Sequence, residues 1–381
     1  MQPTNSYGSR LCGLDTLRAA AISIVLMDNY RWVSNKNIFG FMSQLGGTGV
    51  DLFFVLSGFL IGNQILSAFA KEQNFSLTYF YIRRLLRTLP NYYVVLTLYF
   101  LFPTILSGTS SAQLISFLTF TQNLNMPSGS TFSHSWSLCV EEQFYLLFPV
   151  IAMLIAYSKK SVTLGWCVIL SAILLAVFMR AYTWYKYGQG SMSGELFMEH
   201  IYFSSLTRFD GLLPGVALAM LKNFHPIIFS RVQPHGNVLL IVGLGCTAAT
   251  FYVFYNYMHV PDKGFSLLVT SFGYSLLALS FGILVASALS TTSFLNRIRI
   301  PGATSLALWS YAIYLIHEPV FEFSKLFLVQ YGVDRNSNLT ALITITTSIL
   351  CGWVLYKTVE TPFMALRVRY YPFNYKTATK K

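Results

Sequence analysis

Two adjacent glutamates interrupt an otherwise apolar run in this sequence. They are Glu141 and Glu142, in the segment "SWSLCVEEQFYLLF". Ionisable groups within apolar runs are costly in a bilayer and usually face a cavity or a partner, which makes them functional candidates. Consecutive helix residues point about 100° apart, so one glutamate can face an interior site while the other caps the helix N-terminus.

A second polar pair brackets the first apolar run, "LRAAAISIVLMDNYRW". Arg18 and Asn29 are eleven residues apart, which is about three helical turns and roughly 16 Å of rise, so both side chains lie on one helix face. This stripe predicts a polar channel through a helix bundle. Such a channel suits a transporter or an enzyme that is fed from the opposite side of the membrane.

The other polar residues divide by side when the apolar runs are placed across a bilayer. Arg83, Arg84 and Arg87 lie at the inner mouth. Toward the outer face we place Asp28, Asp51, His134, Arg208, Asp210, His317 and Glu318, besides Asn29 and the two glutamates. Structural interpretations stay open: the three arginines could be membrane anchors, Arg208 and Asp210 an ion pair, and His317 a bond to a neighbouring helix.

Membrane helices are the elements that must position these residues. Hydrophobic residues make up 54% of the 381 residues and charged residues 10%, as in multi-pass membrane proteins. Runs of spanning length are 14–33, 48–69, 89–108, 142–158, 162–182, 205–221, 237–258, 266–290, 303–327 and 338–357. We predict an all-α transmembrane bundle of about ten spans in one domain, 1–381, with a helical core at 10–360 and a basic cytoplasmic tail at 361–381.

The net charge of +12 follows from membrane topology. If the N-terminus is cytoplasmic, most lysines and arginines fall in the inner segments, as the positive-inside rule requires. This predicts ten helices with both termini inside, in a cell (inner) membrane, and needs no nucleic-acid partner. The five cysteines stand singly along the apolar runs and predict neither a disulfide framework nor a metal site.

Seven segments resemble, in order and spacing, the sequence blocks of the acyltransferase-3 family of membrane acyltransferases. They are "GLDTLRAAAISIVLMDNY" (13–30), "GGTGVDLFFVLSGFLIG" (46–62), "YFYIRRLLRTLPNYY" (79–93), "HSWSLCVEEQFYLLFPV" (134–150), "TRFDGLLPGVALAM" (207–220), "SYAIYLIHEPV" (310–320) and "VETPFMALR" (359–367). The resemblance implies a ten-helix membrane core. Because the sequence ends soon after the last helix, we expect a stand-alone member without the hydrolase-like domain that is fused to some relatives.

The resemblance implies transfer of an acyl group, commonly acetyl, from cytoplasmic acyl-CoA to a hydroxyl of an outer-face glycan or lipid-linked sugar. Acyl-CoA would be a co-substrate, with no bound cofactor and no metal. Arginine binds phosphate through charge-assisted, fork-like hydrogen bonds. The expected donor contacts are therefore Arg83, Arg84 and Arg87, with Arg18 further along the channel. By similarity, Glu141 assists a catalytic histidine of the first block, and the site is lined or oriented by Asp28, Asp51, His134, Trp136, Glu142, Arg208, Asp210 and His317.

The sequence departs from the family at the position of that histidine, which is Asn29 here. An amide has no useful basicity and cannot accept the proton of an attacking hydroxyl. Three interpretations stay open. Asp28 replaces the base through a local helical bulge; His134 or Glu141 is the base and Asn29 binds substrate; or the chain is an inactive or weakened variant, natural or engineered.

A transporter or flippase for a polar or glycolipid substrate is the rival function. It would also explain a polar channel and paired carboxylates, but it predicts internal repeats, and the two halves of the sequence show no convincing one. A non-catalytic relic of the family is a third possibility. Lipopolysaccharide or capsule polysaccharide is the commonest acceptor expected from the resemblance, and peptidoglycan is another.

Overall fold

The protein is a bundle of long helices, as seen in a computed structural model that describes residues 12–34, 38–40, 47–106 and 113–374. Ten helices correspond one by one to the ten predicted spans. They are α1 (Cys12–Asn29), α2 (Gly47–Ala70), α3 (Leu77–Leu101), α4 (Trp136–Ala156), α5 (Ser161–Gly188), α6 (Leu213–Phe224), α7 (Gly236–Tyr257), α8 (Leu267–Leu289), α9 (Ala303–Gln330) and α10 (Asn338–Leu355). The predicted all-α class is confirmed, because the strands of the described residues are two-residue segments, His259–Val260 and Gly264–Phe265.

Six helical stretches of the described residues are long and apolar enough to cross a bilayer. They are Gly47–Ala70, Ser133–Ala156, Ser161–Gly188, Pro226–Tyr257, Leu267–Leu289 and Asn338–Tyr370. The other four helices are not in this set. The helices α1, α3 and α9 carry several charged side chains, and α6 has only 12 residues. The number of spans and the side on which the termini lie stay predictions.

Two helices begin earlier than predicted, and both shifts move candidate residues into a helix. The helix α3 begins at Leu77, so Arg83, Arg84 and Arg87 lie within its first half instead of before the span. The helix α4 begins at Trp136 and its N-cap is Ser135. Glu142 therefore does not cap this helix, which corrects that expectation.

Close backbone packing joins α2 to α6. A Cβ atom on Gly58 would overlap the carbonyl oxygen of Leu212, and one on Gly215 would overlap the backbone of Val55 and Phe59. Small residues allow helix backbones to approach in this way in membranes, where lipid supplies no hydrophobic drive for helix association. The helix α1 packs against α2 and α9, so it runs through the middle of the bundle with its polar face enclosed.

Candidate active site

The first polar site lies where α2, α3 and α4 meet. The Glu141 carboxylate accepts hydrogen bonds from Ser57 Oγ and from Tyr145 Oη, each at 2.8 Å. The Arg84 guanidinium lies over the Tyr145 ring at 4.0 Å from its centroid. Both carboxylate oxygens of Glu141 are thus hydrogen-bonded.

Arg18 and Arg87 also lie close to this site. Arg18 of α1 lies within electrostatic range of Arg87, Glu141 and Tyr145. Glu142 lies beside Arg84. We call Arg18, Arg84, Arg87, Glu141 and Glu142 the arginine cluster. Three cations and two carboxylates from three helices come together here, as in a site that binds a charged ligand.

Arg83 points away from the arginine cluster, since its Nη1 donates to the carbonyl oxygen of Tyr371 near the end of the described chain. Nearby, Asn91 Nδ2 donates to Glu360 Oε2 at 2.9 Å, and Glu360 lies within range of Arg87. The structure therefore brings three of the four predicted donor arginines together and turns the fourth toward the tail.

The position of Glu141 and Glu142 differs from the sequence expectation, which put them toward the outer face with His134. Because α4 begins at Trp136, Glu141 lies more than a turn inside the helix. It contacts α2 and α3 instead of the loop that carries His134.

The second polar site is a cavity of about 740 Å³ at the other end of α1. We call it the His134 cavity. Its polar and aromatic lining includes Asp28, Asn29, His134, Trp136, Tyr202 and Glu318. Glu141 is not among the described residues that line it. Arg18 and Asn29 lie on one face of α1, with Arg18 at the arginine cluster and Asn29 at this cavity.

His134 is held in place by residues of α9. Its Nδ1 lies 2.6 Å from Glu318 Oε2, and its Nε2 lies 3.1 Å from the carbonyl oxygen of Leu315. The Tyr314 hydroxyl donates to the His134 carbonyl oxygen at 2.7 Å.

The Leu315 carbonyl is free to accept because of a proline four residues later. Pro319 lies inside α9 and has no N–H with which to close the helical bond to residue 315. The segment "LIHEP" therefore supplies both contacts of the imidazole, a carboxylate from Glu318 and an unused carbonyl.

The side-chain amide of Asn29 is hydrogen-bonded to the backbone of its own helix. Asn29 Nδ2 donates to the carbonyl oxygen of Val25 at 3.0 Å. Asp28 forms an ion pair with Arg31, with Oδ1 at 3.2 Å from Nε. The helix α1 is regular up to Asn29, and Asp28 and Asn29 both line the His134 cavity, so no bulge is required to bring Asp28 to it.

His317 is buried behind His134. Its ring centroid lies 5.0 Å from that of His134, and its Nδ1 lies 2.6 Å from the carbonyl oxygen of Tyr314 in its own helix. The Nε2 atom has no hydrogen-bond partner among the described residues. His317 is also not among the described residues that line the cavity.

The structure contradicts the alternative that Arg208 and Asp210 form an ion pair with each other. Arg208 Nη2 pairs with Asp51 Oδ1 at 2.7 Å. Asp210 is instead held by Arg180, through Nη1–Oδ1 at 2.8 Å and Nη2–Oδ2 at 3.0 Å. Residues two apart in a helical turn point away from each other, so Arg208 and Asp210 find partners on different helices.

Arg208 sits in an aromatic box under the His134 cavity. Its guanidinium carbon lies 3.8 Å from the ring centroid of Tyr274, 4.8 Å from that of Tyr202 and 5.3 Å from that of Trp136. All three rings line the cavity. The Arg208–Asp51 pair thus supports the wall of the cavity from behind.

Sequence reasoning left three residues of these sites out of its candidate set. Ser57 is an ordinary small residue in an apolar helix, and Arg180 stands alone near the end of α5. A lone arginine within an apolar run was a signal for a buried partner. Glu318 was placed at the outer face but not chosen, and its signal was the neighbouring His317 and Pro319.

These features define a class: a multi-pass helical membrane protein with two polar sites enclosed along one helix. The chain belongs to the acyltransferase-3 family, whose model, described as an acyltransferase domain, matches residues 13–357. The resemblance read from the seven sequence blocks is confirmed.

Curated relatives give the same result. Peptidoglycan O-acetyltransferase OatA of Listeria monocytogenes is 27% identical over 389 residues, which cover 95% of this chain and 57% of the relative. A putative O-acetyltransferase of Staphylococcus aureus is 29% identical over 383 residues, with 92% and 57% covered. O-acetyltransferase OatA of Staphylococcus aureus is 28% identical over 374 residues, again with 92% and 57% covered.

The chain therefore spans less than two thirds of the length of these curated relatives. No solved structure matches the chain significantly.

Proposed function

We propose that this chain is a membrane O-acyltransferase. It takes an acyl group, in the simplest case acetyl, from acyl-CoA at the arginine cluster and passes it to a hydroxyl of a glycan or lipid-linked sugar in the His134 cavity. The observation that carries the proposal is the connection of two unlike polar sites by one face of α1, from Arg18 to Asn29. Eleven residues of helix separate the two sites by roughly 16 Å.

Each site suits one substrate. Coenzyme A bears several phosphate charges, and Arg84 and Arg87 offer guanidinium donors to them. Arg84 Nε is buried without a hydrogen-bond partner among the described residues. The pantetheine arm then extends along α1 past Arg18, which brings the thioester toward the His134 cavity.

The aromatic and carboxylate lining of the His134 cavity suits a sugar. Trp136 and Tyr202 line it, and Glu318 presents hydrogen-bond acceptors. The reaction is attack of the sugar hydroxyl on the thioester carbonyl, with a base that takes the hydroxyl proton and with coenzyme A as the leaving thiolate. Peptidoglycan is the first acceptor to test, because one relative is named for it; lipopolysaccharide and capsule sugars follow.

The topology that fits this direction places the arginine cluster and both termini in the cytoplasm and the His134 cavity at the outer face. The excess of lysine and arginine on the arginine side supports it. We propose that this membrane is the cell (inner) membrane.

Binding of acetyl-CoA to the purified chain in lipid nanodiscs tests the donor site. Arg87→Gln is expected to weaken binding at least about tenfold, because a hydrogen bond to a charged group contributes roughly 1.5–3 kcal/mol. Arg369→Gln, the same change at an exposed arginine of the Thr361–Tyr370 helix, is the control and should leave the affinity unchanged.

Transfer is then followed by mass spectrometry of acetyl esters on peptidoglycan fragments and polysaccharides. An unchanged chain that binds no acyl-CoA would contradict the proposal. Acetyl-CoA binding with equal affinity in the Arg87→Gln and unchanged chains would remove the arginine cluster from it.

A further inference from the structure

The structure assigns the catalytic base of the proposed transfer to a residue other than residue 29, where the family is expected to have its histidine. We propose that Glu318, held by His134 and Tyr99, accepts the proton of the acceptor hydroxyl in the His134 cavity. This inference rests on the acyl transfer proposed above. It answers the question raised by Asn29, which cannot accept that proton.

The first step is that both nitrogens of His134 are occupied. A carbonyl oxygen can only accept, so the bond of Nε2 to Leu315 requires a hydrogen on Nε2. The 2.6 Å approach of Nδ1 to Glu318 Oε2 occupies the other nitrogen. His134 therefore has no nitrogen free for a substrate, and it holds the carboxylate in place.

The second step is that only one oxygen of the Glu318 carboxylate is used by these contacts, so the other is available to a ligand. Oε2 takes the contact with His134, and it also accepts from the Tyr99 hydroxyl at 3.3 Å. Oε1 makes no hydrogen bond to any described residue. The side chain is 26% exposed and lines the His134 cavity, whereas the His134 side chain is 5% exposed. A ligand in the cavity can therefore bond to Oε1.

The third step compares the other carboxylates. Both oxygens of Glu141 are bonded, to Ser57 and to Tyr145. Asp28 is paired with Arg31. Glu322, one turn further along α9, forms an ion pair with Lys325 at 3.9 Å.

The proposed reaction needs no reactant besides acyl-CoA and the acceptor hydroxyl, because the proton that leaves the hydroxyl ends on the thiolate. As the hydroxyl oxygen bonds to the thioester carbon, its proton passes to Glu318 Oε1, and the carbon–sulfur bond breaks to give the coenzyme A thiolate. The protonated Glu318 then returns the proton to that thiolate, directly or through water, which restores the carboxylate. His134 orients the carboxylate throughout.

The experiment compares Glu318→Gln with Glu195→Gln in lipid nanodiscs. Glutamine keeps an oxygen for His134 and Tyr99 but cannot accept a proton. Since general base catalysis typically contributes 10²–10⁴-fold, kcat of Glu318→Gln should fall at least about 100-fold, with KM for acetyl-CoA unchanged. Glu195→Gln, the same change at an exposed glutamate that does not line the cavity, should keep kcat within about threefold of the unchanged chain because it leaves this base intact. Glu318→Asp keeps the carboxylate and should recover part of the activity.

The outcomes separate the two proposals. If Glu318→Gln keeps kcat within about fivefold while the unchanged chain transfers acetyl, the base assignment is overturned and the transferase stands, since such a loss is below the usual worth of a base. An equal loss in Glu318→Gln and Glu318→Asp, together with lost acetyl-CoA binding, would show a structural role and also overturn it. An unchanged chain that neither binds acetyl-CoA nor transfers acetyl overturns both proposals.

Discussion

Removal of Arg180 should destabilise the protein more than the loss of any single hydrogen bond would. Its guanidinium is fully buried and makes five hydrogen bonds that join α5 to α8 and to the turn before α6. Two of them are the fork to Asp210. In Arg180→Met the aliphatic volume is largely kept, but Asp210 is left as a buried carboxylate that retains Ser275.

The expected cost is about 3–5 kcal/mol of unfolding free energy, the range for a buried ion pair that loses one partner. Most of this cost is the uncompensated charge of Asp210, because removing both charges of a buried pair is often close to neutral. The double variant Arg180→Met with Asp210→Asn should therefore recover at least half of the loss. Asn keeps the bond to Ser275 and carries no charge.

The assay is reversible unfolding of the protein in mixed micelles, followed by tryptophan fluorescence for the two single variants, the double variant and the unchanged chain. The double-variant cycle isolates the interaction between the two side chains. A loss below about 1 kcal/mol in Arg180→Met, the value of an exposed pair, would refute the reasoning. So would a double variant less stable than Arg180→Met, because the charge of Asp210 would then not be the cause.

Three further changes test other parts of the structure. Asn29→His should change kcat for acetyl transfer less than about fivefold because Glu318 is the proposed base; a gain of about 100-fold, the worth of a general base, would place the base at residue 29 and support the inactive-variant interpretation. Glu141→Gln should lower turnover without lowering the unfolding midpoint, since the glutamine oxygen can still accept from one of the hydroxyls of Ser57 and Tyr145 and its amide N–H can donate to the other; unchanged turnover would remove Glu141 from the site. Gly58→Ala should cost about 1–3 kcal/mol of unfolding free energy through overpacking against Leu212; Gly245→Ala, where a Cβ meets nothing within 4 Å, is the control, and equal stability of the two variants would contradict the close packing of α2 on α6.

The helices could be predicted from the sequence because bilayer-spanning runs of apolar residues are a strong local signal. Every predicted span corresponds to a helix, from α1 to α10. The starts of α3 and α4 were placed too late, because arginines or serine and glutamate at a helix end look like loop residues. These same errors put Glu141 at the wrong position along α4.

The bonding partners of the polar side chains were much harder to predict from the sequence. The bonds of Glu141 to Ser57, of Arg208 to Asp51 and of Arg180 to Asp210 join residues 84, 157 and 30 positions apart. They depend on how whole helices pack, which no local pattern encodes. Adjacent charges such as Arg208 and Asp210 suggested a pair, yet a short helical turn directs them apart.

Pro319 connects the backbone of one helix to the chemistry of an imidazole on another element. Because it leaves the Leu315 carbonyl free, it decides that His134 carries a hydrogen on Nε2 and turns Nδ1 toward Glu318. An N–H at position 319 would return that carbonyl to the helical ladder and leave the ring free to rotate. An imino acid that touches no substrate thereby fixes the orientation of a side chain in the cavity.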